Sequence, residues 1–203
     1  IRFKPDALRV FTGRDSAGVR GIRLQDGDTV ISMAILGRVD ATPEERAAYV
    51  KHANAMRKAL AGADAEEDVV TVEADDEEAG DAALSVERIA ELGAAEQFIL
   101  TVTETGFGKR SSAYEYRRTG RGGQGLTAHG LGGRAGTRLA AAFPVEEADD
   151  LMLVTDGGQM IRTPVSQVRI VGRSRPGALI LRTGKAREVV PVAGPPSRPS
   201  DRG

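Results

Sequence analysis

One short signature occurs three times in this chain, and it narrows the folds open to it. It reads Gly-Arg, three residues, Gly, then an apolar residue. The copies are Gly13-Arg14-Asp15-Ser16-Ala17-Gly18 before Val19, Gly120-Arg121-Gly122-Gly123-Gln124-Gly125 before Leu126, and Gly172-Arg173-Ser174-Arg175-Pro176-Gly177 before Ala178. The last two lie 52 residues apart and the first two 107 apart. That is one repeat plus an insertion of about 55 residues. A repeat of this size points to stacked supersecondary units, none of which buries both faces alone.

The same pieces recur around each copy. Phe98-Ile99-Leu100-Thr101-Val102-Thr103 has the β-branched and aromatic content of a strand, Glu104-Thr105-Gly106 a turn, and Phe107-Gly108-Lys109-Arg110 a return strand. Leu151–Thr155, Asp156-Gly157-Gly158 and Met160-Ile161-Arg162 repeat that order. After the signatures, Thr29–Leu36, Arg138–Val145 and Glu188–Val192 read as closing strands, with Thr29–Leu36 expected to be buried. Each repeat thus supplies about four short strands, the size of one propeller-type blade. A solenoid of β-turns is the alternative.

Residues 37–96 break the pattern. Thr42-Pro43-Glu44-Glu45 predicts a helix start, with Thr as cap, Pro at the first helical position and Glu45 closing a capping box. Ala47, Val50, Ala53, Met56, Ala59 and Leu60 follow at helical spacing. Residues 63–81 are rich in Asp, Glu and Ala and read as disordered, and Ser85–Leu92 as a second short helix. The resulting partition is 1–36 partial blade and start of the next, 37–96 acidic insertion, 97–145 blade, 146–193 blade and 194–203 flexible tail. The chain reads as a fragment opening within a repeat.

Charge follows this partition. Residues 41–96 carry five basic and fifteen acidic residues, whereas 97–203 carry sixteen basic and nine acidic, and 1–40 seven and five. A basic body with one acidic segment suggests a polyanion-binding surface. Cysteine is absent, so there is neither disulfide framework nor thiolate metal site. No apolar run reaches the roughly 18 residues of a membrane span.

Catalytic motifs fail on inspection. The second signature spells GxGxxG, but Leu126-Thr127-Ala128-His129-Gly130 is a poor helix start to hold a pyrophosphate, and Asp15 and Ser174 replace the middle glycine elsewhere. Gly106–Arg110 lacks the first glycine and the Ser/Thr of a P-loop. His52 and His129, the only histidines, have no Cys or paired carboxylate at ligand spacing and read as bystanders. No cofactor or metal is expected in this segment.

Cations, by contrast, recur at equivalent places. About ten residues before each signature stand Arg2 and Lys4, then Lys109 and Arg110, then Arg162. Just before it stand Arg9, Arg117 with Arg118, and Arg169, and within it Arg14, Arg121 and Arg173, with Arg175 also inside the third copy and Arg20 just past the first. Stacked repeats would align these into rows along one rim, where guanidinium groups bond phosphates and neighbouring glycines let a duplex approach. Aromatics form only 4% of the chain, too few for the stacking platforms of single-strand binders.

At these residues the sequence resembles the C-terminal, DNA-wrapping domain of the A subunit of bacterial DNA gyrase. The matching stretches are Ile1-Arg2-Phe3-Lys4 with Gly18–Leu24, Gly106–Arg110, and Leu151–Arg162 with Val171-Gly172-Arg173. The resemblance implies an all-β pinwheel: propeller-like four-stranded blades that exchange strands and bend duplex DNA around their rim, here interrupted by a partly helical or disordered insertion. The chain looks like the C-terminal half of such a disc. The family's first-blade box is absent as such, and Arg121-Gly122-Gly123-Gln124-Gly125 is a degenerate copy. The resemblance further implies a non-catalytic portion of an ATP-hydrolysing type IIA topoisomerase. ATP and magnesium would belong to the holoenzyme. The partners would be duplex DNA and the gyrase B subunit, together with the rest of the A subunit in an A2B2 assembly. The setting would be cytoplasmic and nucleoid-associated. The C-terminal domain of the topoisomerase IV A subunit is one alternative, and a β-propeller protein-interaction module the other.

Overall fold

A computed structural model describes residues 1–61, 83–182 and 189–192. The acidic run at 63–81 and the tail at 194–203 lie outside the described residues.

Among the described residues, seven strands form two sheets. β1 (Phe98–Thr103) and β2 (Phe107–Ser112) make a hairpin with Leu100 opposite Arg110. β3 (Leu139–Val145) pairs with the other edge of β1, placing Phe143 opposite Leu100, with one irregularity at Val102/Thr103. β4 (Asp150–Thr155) and β5 (Met160–Pro164) form the next hairpin, and β7 (Val189–Val192) adds to β4. The remaining strand, β6 (Ala178–Leu179), follows the third signature and yet joins the first sheet, pairing Ala178 with Gly108 and Leu179 with Phe107 on β2. The order β3-β1-β2-β6 is therefore a four-stranded blade completed by a strand from the next repeat, and β5-β4-β7 is the second blade. The architecture is the propeller-like, strand-exchanged arrangement of a pinwheel.

Alternation along β1 and β4 sends Leu100, Val102, Leu151 and Leu153 into one core with Ala141, Val145, Val165, Val168 and Leu181. Each leucine or valine so buried contributes about 1.5–3 kcal/mol. Because this core takes side chains from both repeats, neither blade is independently covered.

Three short 3₁₀ turns mark equivalent points of the repeats: Pro5–Ala7, Ala113–Glu115 and Val165–Gln167. An arginine stands three residues before each: Arg2, Arg110 and Arg162.

The insertion is a helix pair. α1 (Pro43–Ala61) begins with the reciprocal capping box: the Glu45 amide donates to Thr42 Oγ1 (3.2 Å), and the Thr42 amide to Glu45 Oε2 (2.8 Å). Ser85 caps α2 (Val86–Ala94) by accepting from the Arg88 amide. The buried stripe of α1 is rotated from the one expected. Arg46, Tyr49, Val50 and Ala53 face inward, while Met56 and Leu60 are 53% and 83% exposed. The reason is tertiary: the apolar surface offered to α1 is Tyr114 of the first blade with Leu92 of α2, and it lies on the side of the helix that carries Tyr49, Val50 and Ala53.

Residues 29–36 also differ from expectation. They form no strand, and Val30, Met33 and Ile35 are 62%, 87% and 84% exposed. The corresponding segments of the other repeats, β3 and β7, pair with the opening strand of their own repeat. Among the described residues no such strand lies beside 29–36, which touches β3 through the Ser32 hydroxyl donating to Ala142 O (2.6 Å).

Candidate nucleic-acid interface

The signatures act first as clasps between repeats. The second signature lies on repeat one: the Gly122 amide donates to Gly21 O (2.6 Å) and the Arg23 amide to Gly123 O (2.8 Å). Arg121 reaches Ala7 O through Nε (3.0 Å) and Arg20 O through Nη1 (3.3 Å). The third signature lies on repeat two in the same way. The Gly130 amide donates to Arg175 O (3.0 Å), and Arg173 Nη1 to Thr127 O (2.8 Å). Arg20 and Thr127 each stand two residues past the closing glycine of the earlier signature, so one contact is built twice.

A second clasp is also duplicated. Arg2 Nη1 donates to Ala113 O (2.6 Å) and Tyr116 O (3.3 Å), gripping the 3₁₀ turn of repeat two. Arg110 grips the turn of repeat three, with Nε on Val168 O (2.8 Å) and Nη2 on Ser166 O (3.2 Å), and pairs with Glu147. Matching backbone bonds run from Thr119 to Arg2 O and from Val171 to Arg110 O. Arg162, the third in the series, is exposed and pairs instead with Asp150.

Two expected rim residues are therefore interior. Lys109 is 0% exposed and Arg110 3% exposed. The Lys109 ammonium donates to Gly172 O (2.7 Å) and to Arg173 O. Burial lowers its pKa to about 7; Glu115 opposes that shift and Arg173 adds to it. Lys109 and Arg110 hold the third repeat to the second and do not stand in a solvent-facing row. The physical reason is that carbonyls of the next repeat converge on both cations and take their donors.

His129 is likewise no bystander. It is 3% exposed, with Nδ1 2.8 Å from Thr101 Oγ1 and Nε2 2.6 Å from Pro176 O. A carbonyl only accepts, so Nε2 carries the proton and neutral Nδ1 accepts from the Thr101 hydroxyl. Burial first, then the Lys109 charge, lowers its pKa to about 4. Nearby, Glu115 accepts from the Arg173 amide (2.8 Å), and burial raises its pKa. A histidine in a glycine-rich loop carries no sequence signal for this role, because both partners are remote.

The other expected residues stay at or near the surface. Lys4, Arg9, Arg14, Arg20, Arg117, Arg118, Arg121, Arg162 and Arg169 are exposed, and Arg2, Arg173 and Arg175 are half-buried. The clasp brings Arg121 beside Arg20. Arg118 lies close enough to Arg2 to lower its pKa, after the larger effect of burial and that of Arg46. Arg9 stacks on Phe11, 5.2 Å from the ring centroid. The structure thus gathers Arg2, Arg20, Arg118 and Arg121 around the joint of repeats one and two. An exposed guanidinium with one or two donors on a carbonyl still has others to offer a phosphate.

Comparison with known proteins places this geometry. The family model described as "DNA gyrase C-terminal domain, beta-propeller" matches residues 1–36, 97–131 and 149–175, passing over 37–96. The A subunit of DNA gyrase from Granulibacter bethesdensis is 55% identical over 196 residues, which is 95% of this chain and 21% of that protein. The corresponding gyrase A subunit of Rickettsia bellii is 42% identical over 94% of this chain and 20% of its own length. The chain thus spans about a fifth of the length of these relatives. A solved structure of a DNA gyrase A C-terminal domain is 24% identical, with a TM-score of 0.44, and the match covers 48% of this chain and 34% of that one. With three repeat segments matched by the family model and relatives 55% and 42% identical over nearly its whole length, the chain belongs to the DNA gyrase C-terminal domain family.

Proposed function

We propose that the chain binds duplex DNA along its exposed arginines and bends it around the stacked repeats. In this reading it is the wrapping portion of the A subunit of a gyrase-type, ATP-dependent topoisomerase that introduces negative supercoils. The carrying observation is that the clasps repeat in register and that exposed cations, Arg9, Arg117 with Arg118, and Arg169, stand at equivalent places just before successive signatures. The DNA-binding set proposed is Lys4, Arg9, Arg14, Arg20, Arg117, Arg118, Arg121, Arg162 and Arg169, with Arg2, Arg173 and Arg175 at its edge. Phosphate binding by these groups releases counterions, and that free energy offsets a bending cost of a few kcal/mol.

The partition into blades at 97–145 and 146–193, with 37–96 as an insertion, belongs to the same proposal and is supported by the family match that stops at 36 and resumes at 97. So does partnership with the gyrase B subunit, together with the rest of the A subunit in an A2B2 assembly. ATP and magnesium as the holoenzyme's ligands, and a cytoplasmic setting, complete it. Among the described residues no helix is long and apolar enough to cross a membrane. Gyrase is favoured over topoisomerase IV because the relatives named above are gyrase A subunits.

The test is salt titration of duplex binding together with relaxation of a closed plasmid by a nicking-closing enzyme in the presence of the chain. With about 6–10 phosphate contacts, affinity should fall roughly 10³–10⁵-fold between 50 and 200 mM salt, leaving a residual linking-number change at low salt. Salt-independent binding would refute the electrostatic mechanism, and an unchanged linking number the wrapping.

A further inference from the structure

Wrapping requires a fixed angle between successive repeats, and the helical insertion touches both joints that set it. At the first joint, the 3₁₀ turn gripped by Arg2 contains Tyr114. The Tyr114 hydroxyl donates to Leu92 O of α2 (2.9 Å), and its ring meets Tyr49 of α1 edge-on at 5.4 Å and 84°. Val50, Ala53 and Leu92 close around the pair. At the second joint, the Arg110 guanidinium lies 5.8 Å from the centroid of Phe98. Arg57 of α1 lies 5.5 Å from the same centroid. Glu96 Oε2 fixes Arg57, accepting from its Nη2 (2.7 Å) and also from the Tyr49 hydroxyl (2.9 Å).

Each clasp arginine thus bears on a group that the insertion holds. Carbonyl hydrogen bonds, with the Glu147 pair in the case of Arg110, hold each guanidinium tip but leave freedom in the turn and ring around it. A ring packed against the gripped turn, or a ring shared by two guanidinium groups, removes that freedom.

We infer that Tyr49 and Arg57 are positioning residues for the DNA path: through Tyr114 and Phe98 they brace the two inter-repeat joints, so that the insertion sets the curvature of the cationic surface. The inference rests on the DNA-wrapping reading. Neither residue touches DNA in this account, and the charge of the acidic run plays no part in it.

The test uses the full chain, whose lack of cysteine allows spin labels at Ala7→Cys in repeat one and Gln159→Cys in repeat three. Arg57→Ala should broaden the label-to-label distance distribution. At equal occupancy on closed plasmid it should reduce the residual linking-number change about two-fold or more, as loss of one cation–π contact would allow. Affinity for a duplex too short to bend should not change. Tyr49→Phe keeps the ring and should retain most of the wrapping, whereas Tyr49→Ala should not. If Tyr49→Ala fails to fold, Arg57→Ala still decides. An unaltered distance distribution and linking number in Arg57→Ala overturn the inference. If the unsubstituted chain leaves no linking-number change, the wrapping reading fails, and the distance distribution alone still shows whether the brace exists.

Discussion

The two joints between repeats are made by the same signature and reinforced by different means. Between repeats two and three the joint is closed to water: Lys109, Arg110, Ser111 and His129 are all 3% exposed or less, and β6 adds a strand pairing. Between repeats one and two Arg20, Arg118 and Arg121 stay exposed, and support comes from outside the repeat, through Tyr114 and the helical insertion. The comparison separates two functions of one motif. Its glycines and backbone amides set the register of the joint. The side chains around it decide whether the joint is a sealed hinge pin or an open, cationic seam.

The largest effect expected from this contrast is at the closing glycine of each signature. Gly177 has φ +75°, and a Cβ there would stand 2.4 Å from Gly108 O. Gly177→Ala should cost about 3 kcal/mol or more, from left-handed backbone strain and a clash with backbone that cannot yield. Gly125→Ala, with the nearest atom at 3.2 Å, should cost less, and Gly18→Ala, with nothing within 4 Å, only about 1 kcal/mol. Urea unfolding of the three variants checks the order; equal losses would mean that close approach does not distinguish the joints.

A smaller effect concerns acid. His129 binds its proton with a pKa of about 4 in the folded chain against 6.5 in the unfolded one. Between those values the unfolded chain holds more protons, so stability falls as pH drops from about 6.5 toward 4. The loss should be on the order of 3 kcal/mol. His129→Gln should flatten the melting-temperature profile over that window. Hydrogen exchange should show the 172–177 segment opening before the 120–125 segment. Simultaneous opening would remove the difference between the joints.

The smallest effect on stability, within about 0.5 kcal/mol, is expected for exposed Arg118→Ala in the open seam. Its consequence should appear in binding, as weaker association with any duplex sequence and a salt slope reduced by about one. A changed melting temperature with an unchanged slope would assign Arg118 to the clasp.

How much of this was legible in the residues differs from place to place. The hairpins at 98–112 and 150–164 follow from β-branched runs around glycine turns, and the α1 start from Thr42 and Glu45, because these preferences are local. The exposure of Thr29–Leu36 was not legible. Its strand pattern is sound, but a strand is made by its partner, and the hydrogen bond that ties this segment to β3 comes from the Ser32 hydroxyl and not from a backbone ladder. The buried face of α1 departs from its apolar spacing for a similar reason, since Tyr114 lies far along the chain from the helix it orients.

The sequence by itself determined the period, the turn positions, the cationic places in each repeat and the acidic character of the insertion. Those properties reside in residue type and spacing. Tertiary structure alone decided which cations remain available. Lys109, Arg110 and Arg118 are alike as charges, yet the first two meet carbonyls some 56 to 64 positions away and the third meets solvent. A guanidinium or ammonium bonds whichever acceptor the fold presents. Whether that acceptor is a carbonyl within the chain or a phosphate outside it depends on burial, which spacing along the chain does not encode.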